Sequence, residues 1–281
     1  MSYFKRFPKT EYDYQRNGFI QSVVDIHKSV RPIGAYLDDI TNYTYYRINE
    51  GERPDIVSQR IYDNSEYYWT FFVVNEFLSD GLNAWPMSSQ QLNSYFARNF
   101  NGKVAVTQPT INYDADGNIT GYEDNINGDG PNDFSTFKAG EVVQNTDINA
   151  SPYVEPTATG TISRINVDMN QLVIKPLTGS FTQGDPIVSQ KTGKQVRAYR
   201  LYDEADAPFS YYLDTDADKR PHPCPEFTGD TSDPNNLIST MPYISNRAHI
   251  IGQNDARSQI RVISPDFIED FVEEYFRLIN L

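Results

Sequence analysis

Residues 43–75 constrain this chain more than any other stretch, because strand, turn and helix signals follow one another too closely for a long helix or a broad sheet to run through them. Thr44, Tyr46 and Ile48 are good strand formers at period two, and Asn49-Glu50-Gly51 supplies a turn directly after them. Pro54 suits a first helical position, Asp55 favours the positive end of a helix, and Ile56, Val57, Arg60 and Ile61 form a mostly apolar stripe. Asp63-Asn64-Ser65 breaks that helix and caps a second, in which Tyr67, Tyr68, Phe71, Phe72 and Asn75 recur at spacings of three and four. The unit reads strand, helix, helix. A third helix is expected from Ser88 or Ser89, carrying Leu92, Tyr95 and Phe96 on one side and ending around Asn101-Gly102. These elements define a first domain at 43–102, preceded by an arm at 1–42 that mixes aromatics with charges and shows no sustained period.

Beyond residue 102 the chain changes character. Between 103 and 200, Gly, Asn, Asp, Thr and Pro become frequent and Val and Ile fall in short runs, as in Gly160–Ile165, Asn170–Lys175 and Gly184–Val188. Short strands with tight turns predict a small β-barrel-like insertion. Residues 201–281 open with an irregular acidic stretch containing Asp214, Asp216, Asp218, Pro221 and Pro225, expected to be an ordered surface loop. They close with a strand at Gln259–Ile263 and a helix announced by Ser264-Pro265-Asp266. In that helix Ile268, Phe271, Val272, Tyr275 and Ile279 make one wide apolar face that must dock on something. The fold class is therefore α+β.

A formal charge of −14, with no cluster of Lys and Arg to reverse it locally, opposes any phosphate backbone or anionic lipid as partner. No run of about 18 apolar residues and no signal-peptide pattern occurs, and a single cysteine, Cys224, forbids an internal disulfide, so assembly in a reducing cytoplasm is expected. The 20 Tyr and 16 Phe carry much of the apolar content and favour strands and flat contact surfaces.

No catalytic constellation emerges. His222-x-Cys224 offers two zinc ligands without a second pair, since His27 and His249 are scattered. Asp214-x-Asp216-x-Asp218 imitates the start of a calcium loop, but Lys219 stands where the loop needs Gly and Pro225 where it needs Glu. Asp114-Ala115-Asp116-Gly117-Asn118 reads as a hairpin turn. With no phosphate loop and no nucleophile elbow either, no catalytic, metal-binding or cofactor-binding residue is assigned.

Tyr46–Tyr62, followed by Trp69, Val73 and Asn75, resembles a lysin-motif domain, with Glu-Arg-Pro-Asp at 52–55 in place of the family's usual Asp-Thr-Leu. Many such domains bind glycans containing N-acetylglucosamine, which makes a peptidoglycan-binding module the alternative reading. Phe7-Pro8-Lys9-Thr10-Glu11-Tyr12, Val24-Asp25-Ile26, Tyr45–Ile48, Arg53-Pro54-Asp55, Ile61-Tyr62, Tyr68-Trp69 through Asn75-Glu76, and Gln259–Ile263 with the helix after it are together similar to the small baseplate wedge subunits of T-even-like contractile-tail phages, the gene 53 product family. These segments cover roughly half the chain, and their order is the specific part of the match.

The resemblance implies a lysin-motif-like strand-helix-helix-strand domain in a non-enzymatic structural protein of the virion tail. It would be assembled in the host cytoplasm and present in several copies in a sixfold ring. Its partners would be other wedge subunits, with the central hub as a further candidate, and neither nucleic acid nor membrane. The arm and the last helix are the expected docking elements, and the aromatic run at 67–72 cannot all face one core. Phe7, Tyr12, Tyr67, Tyr68, Phe72, Phe271 and Tyr275 are the candidate partner-binding residues.

Overall fold

A computed structural model describes residues 3–13, 16–30, 40–107, 109–113, 119–124, 137–146, 154–166, 168–222, 224–225, 227–228, 238–239 and 241–281. The protein is mixed α+β. Among the described residues it has five α-helices and a curled antiparallel seven-stranded sheet forming a half-barrel. The chain divides into two compact units, Met1–Leu92 with Gly252–Leu281, and Asn93–Ile251.

The first unit opens with a 3-10 turn at Tyr3–Arg6 and a hairpin of β1 (Lys9–Tyr12) and β2 (Gln21–Val24). The 1–42 segment, expected as an extended arm, therefore contains a paired ribbon. Next comes β3 (Tyr43–Arg47), and a turn in which the Glu52 amide donates to Asn49 O at 3.0 Å, with Gly51 at a positive φ of 73° that disfavours a side chain. Helix α1 (Pro54–Tyr62) starts on its proline and ends at Asp63, which adopts a left-handed φ of 53°. The Asn64 side chain then caps a 3-10 turn, accepting from Glu66 N, and α2 (Trp69–Val74) follows.

The strand that completes this arrangement comes from the far end of the chain. β17 (Gln259–Ile263) pairs antiparallel with β3, in the register Gln259↔Arg47 through Ile263↔Tyr43. Val57 of α1, Phe71 of α2, Ile48, and Ile260 and Val262 of β17 share one buried cluster with Leu78 and Trp85. A strand cannot bury its apolar face alone, so residues 43–102 do not form a closed domain by themselves, and the boundary expected at 201 separates β17 from the elements it packs on. After a 3-10 turn at Pro265–Phe267, the final helix, here numbered α5 (Ile268–Ile279), carries its expected apolar face into the same unit.

The boundary between the units falls within α3 (Ser89–Asn99) and α4 (Asn246–Arg257). The second unit is built on the half-barrel, in the strand order β11 (Gln195–Arg197), β10 (Pro186–Ser189), β7 (Val142–Gln144), β8 (Thr159–Asn166), β9 (Gln171–Thr178), β4 (Lys103–Val106) and β12 (Arg200–Asp203). Every neighbouring pair is antiparallel. Ala105, Leu172 and Ile174 face an interior shared with Phe137, Ile162, Phe181 and Ile187. Val104, Val106 and Val173 point the other way and are covered by Tyr199 and Ala207, so β4 and the first half of β9, Gln171 to Ile174, are buried on both faces.

β5 (Pro109–Tyr113) and β6 (Ile119–Asp124) pair antiparallel, and the turn expected at Asp114–Asn118 between them lies outside the described residues. The acidic stretch is less irregular than its composition suggests. β13 (Pro208–Tyr211) pairs with β16 (Tyr243–Ser245), and β14 (Phe227–Thr228) with β15 (Ile238–Ser239).

Candidate interaction surface

The amino-terminal arm has two parts with opposite burial. Its first part is anchored. Phe7 is buried, and the Tyr3 ring lies 4.7 Å from Trp69 and 4.8 Å from Phe7 between centroids. Trp69 also meets Tyr275 at 4.8 Å and Phe276 at 5.6 Å, so the 3-10 turn, α2 and α5 share one aromatic cluster. The Tyr3 and Tyr275 hydroxyls hydrogen-bond at 2.9 Å, and burial pushes both phenols up from their ordinary value. Asn280 donates to Arg6 O at 3.1 Å, and the Arg6 guanidinium lies 5.2 Å from the centre of the Phe276 ring.

The second part is bare. All eight strand residues of β1 and β2 are exposed. The register Thr10↔Val23 and Tyr12↔Gln21 puts Thr10, Tyr12 and Val23 on one face, and Lys9↔Val24 and Glu11↔Ser22 put the charges on the other. Around the ribbon, Phe19, Ile20 and Ile26 are 67%, 60% and 58% exposed. The tip is held locally, with Asp13 accepting from the amides of Asn17 at 3.2 Å and Gly18 at 2.7 Å. An isolated two-stranded hairpin is at best marginally stable in water, and grouped exposed apolar side chains mark a contact surface.

The seven candidate residues separate on this division. Phe7, Phe271 and Tyr275 are buried in the unit's own core and present no partner surface, which corrects their assignment: the apolar side of α5 docks on Trp69 and the arm's first turn. Tyr67 and Phe72 are half-buried against that core and its neighbour. Tyr12 and Tyr68 are exposed, at 56% and 38%. Phe19, Ile20 and Ile26 were not among the candidates, although their signal was present as aliphatic and aromatic residues in a short arm with too little regularity for a core of its own.

Around this surface the unit is locked by buried polar groups. Glu52 accepts at Oε2 from Tyr46 Oη at 2.9 Å and Asn49 N at 3.0 Å, and its other oxygen pairs with Arg60, so the residue that departs from the lysin-motif start ties the turn to β3 and α1. Trp85 Nε1 donates to Glu52 O at 2.7 Å. Asn75, 2% exposed, donates from Nδ2 to Phe71 O at 2.8 Å and Arg261 O at 2.9 Å, and accepts from Arg261 N at 2.8 Å. Its amide behaves as one residue of an extra strand along the outer edge of β17.

In the second unit Asp216 accepts from Asp218 N and Arg220 N, which makes the acidic loop a self-contained turn. His222 makes a backbone bridge with Tyr211, and burial pushes the Cys224 thiol up to about 12. Among the described residues no three His, Cys, Asp or Glu side chains gather as metal ligands, and no helix is long and apolar enough to cross a membrane. No family model and no curated protein matches the chain.

Proposed function

We propose that this chain is a non-enzymatic structural subunit of a contractile-tail baseplate wedge, with a lysin-motif-like core, which works by holding other wedge proteins together. One observation carries the reading. The segments on which the resemblance rests, at 7–12, 24–26, 45–76 and 259–279, are distant in sequence yet gather in a single compact unit, and the stretch that departs from the resemblance makes up a unit of its own. The order β3, α1, α2 and β17, with both helices contributing to the core under the two strands, supports the lysin-motif-like description. A protein whose unit is closed by its own far end, and whose ribbon is left uncovered, suits adhesion between proteins more than chemistry.

The peptidoglycan-binding alternative gains no comparable support, because the Asn75 amide is buried against Arg261 and is not available to a sugar. Co-elution on a sizing column tests the proposal, with the purified chain run alone and then mixed with wedge proteins from the same phage. A stable larger complex is expected. Separation from every wedge protein, combined with retention on insoluble peptidoglycan, would replace the wedge reading with the glycan-binding one.

A further inference from the structure

The two-stranded sheet of the first unit is sealed along one edge and open along the other. Ile48 N donates to Ser258 O at 2.8 Å and Ser264 N to Asn42 O at 2.9 Å, and with the register Gln259↔Arg47 through Ile263↔Tyr43 these bonds fix which residues of each strand face the other. Asn42, Thr44, Tyr46 and Ile48 turn their backbone groups toward β17, so Tyr43, Tyr45 and Arg47 turn theirs away from it. The outward groups of β17 are closed by side chains: Asn75 bonds both N and O of Arg261, and Tyr62 Oη donates to Ile263 O at 3.0 Å. Nothing among the described residues does the same for Tyr43, Tyr45 and Arg47, whose strand has only β17 for a neighbour.

Free strand edges are commonly blunted by prolines, bulges or a covering element. β3 holds no proline, its register runs without a bulge, and its aromatic residues favour extended backbone. The face beside the edge is basic and aromatic. Period two puts Tyr43, Tyr45 and Arg47 on the side opposite Tyr46 and Ile48, which belong to the core, and the register adds Arg261 across from Tyr45. The Tyr43 and Tyr45 rings stand 5.8 Å apart between centroids, the Arg261 guanidinium lies 5.2 Å from the centre of Tyr43, and Tyr45 is 57% exposed. Arg47 and Arg261 are exposed, and neither makes an ion pair among the described residues. Neither β3 nor β17 carries an acid, although acids outnumber Lys and Arg by 38 to 24 along the chain.

We propose that β3 accepts an extended acidic segment of another protein as an added antiparallel strand, its backbone bonded to Tyr43, Tyr45 and Arg47 and its carboxylates beside Arg47 and Arg261. In an antiparallel pair the residues that exchange hydrogen bonds lie directly opposite one another and share a face. The acids of the added strand are therefore the same residues whose N–H and C=O meet β3, and they alternate with residues that need no charge. A basic segment in the same place is opposed by Arg47. The contact follows from the backbone of β3 and does not depend on the wedge reading.

The test uses a fluorescein-labelled heptapeptide, Glu-Thr-Glu-Val-Glu-Thr-Glu, titrated with the full chain at low salt and followed by fluorescence anisotropy. Saturable binding is expected, half-complete below about 500 µM, and at least about tenfold weaker for the peptide with Lys at every Glu position. N-methylation of the Glu residues is expected to abolish binding, whereas N-methylation of the Thr and Val residues leaves it, a distinction that general electrostatic attraction would not make. Arg47→Glu alters an exposed side chain; it is expected to weaken binding of the acidic peptide about tenfold and to reverse the preference in favour of the lysine peptide, which a loss of folding could not do. No saturable binding of the acidic peptide, equal binding of the two charge forms, or indifference to the position of the methyl groups would overturn the proposal.

Discussion

Replacing Asn75 by alanine removes three hydrogen bonds at the point where α2 meets β17. Two of them are made to the backbone of Arg261, 186 residues away in sequence. A protein hydrogen bond contributes about 1 kcal/mol net, and a partner left unsatisfied in a buried site costs about 1–3 kcal/mol, so Asn75→Ala is expected to destabilise the first unit by about 3 kcal/mol. For a unit of roughly 120 residues this lowers Tm by about 10 °C, and with a urea m-value near 1.5 kcal/mol per molar it lowers the midpoint by about 2 M. The assay has a built-in reporter, because the chain's two tryptophans, Trp69 and Trp85, are both buried in this unit, and their fluorescence follows its unfolding alone. Asn75→Asp keeps the volume and one acceptor but loses both donated bonds, so a loss of at least about 2 kcal/mol there separates hydrogen bonding from cavity formation. Losses below about 1 kcal/mol for both variants would refute the reasoning, and would mean that water replaces the amide along the edge of β17.

Three further outcomes are expected. Glu52→Gln keeps the shape of the turn but weakens the ion pair with half-exposed Arg60, and should lower stability by about 1–2 kcal/mol in the same urea assay, with a loss that persists in high salt because Glu52 itself is buried. Gly179→Ala combines a φ of 61° with a Cβ that would stand 1.9 Å from Thr157 O, so the second unit should lose at least about 2 kcal/mol in thermal melts followed by circular dichroism. The Cys224 thiol should resist a disulfide reagent at pH 8 in the native protein and react at once in denaturant. Because burial holds its proton up to about 12 in the folded chain, this group's contribution to stability is complete below the ordinary thiol value of 9.0 and is lost as pH rises from there toward 12, which alkaline melts of Cys224→Ala against the parent chain would detect.

Local structure was legible wherever one or two residues decide it. Pro54 starts α1 where its ring is tolerated, Asp63 ends it in a left-handed conformation, Asn64 caps the next turn, and the three- and four-residue spacing of apolar residues after Ile268 marks the buried face of α5. Three of the seven strands of the half-barrel, Thr159–Asn166, Gln171–Thr178 and Pro186–Ser189, were likewise visible between their turn signals. The candidate site was legible only in part. Of the candidate partner-binding residues, Tyr12 is exposed, but Phe7 and Tyr275 look the same in sequence and are core, because an aromatic side chain on an arm or a helix carries no mark of whether the chain itself or another protein will cover it.

By itself, then, the sequence determined the elements: which residues extend, which coil, where each helix begins and which side of it is apolar. Only the tertiary structure decided the partners, and above all that β3 closes on β17 across the whole second unit. A five-residue strand has no local feature naming the strand it will pair with, and the entropy of closing a loop rises only logarithmically with its length, so a distant strand that completes the apolar face and finds the Asn75 amide waiting at its edge can be chosen over nearer ones.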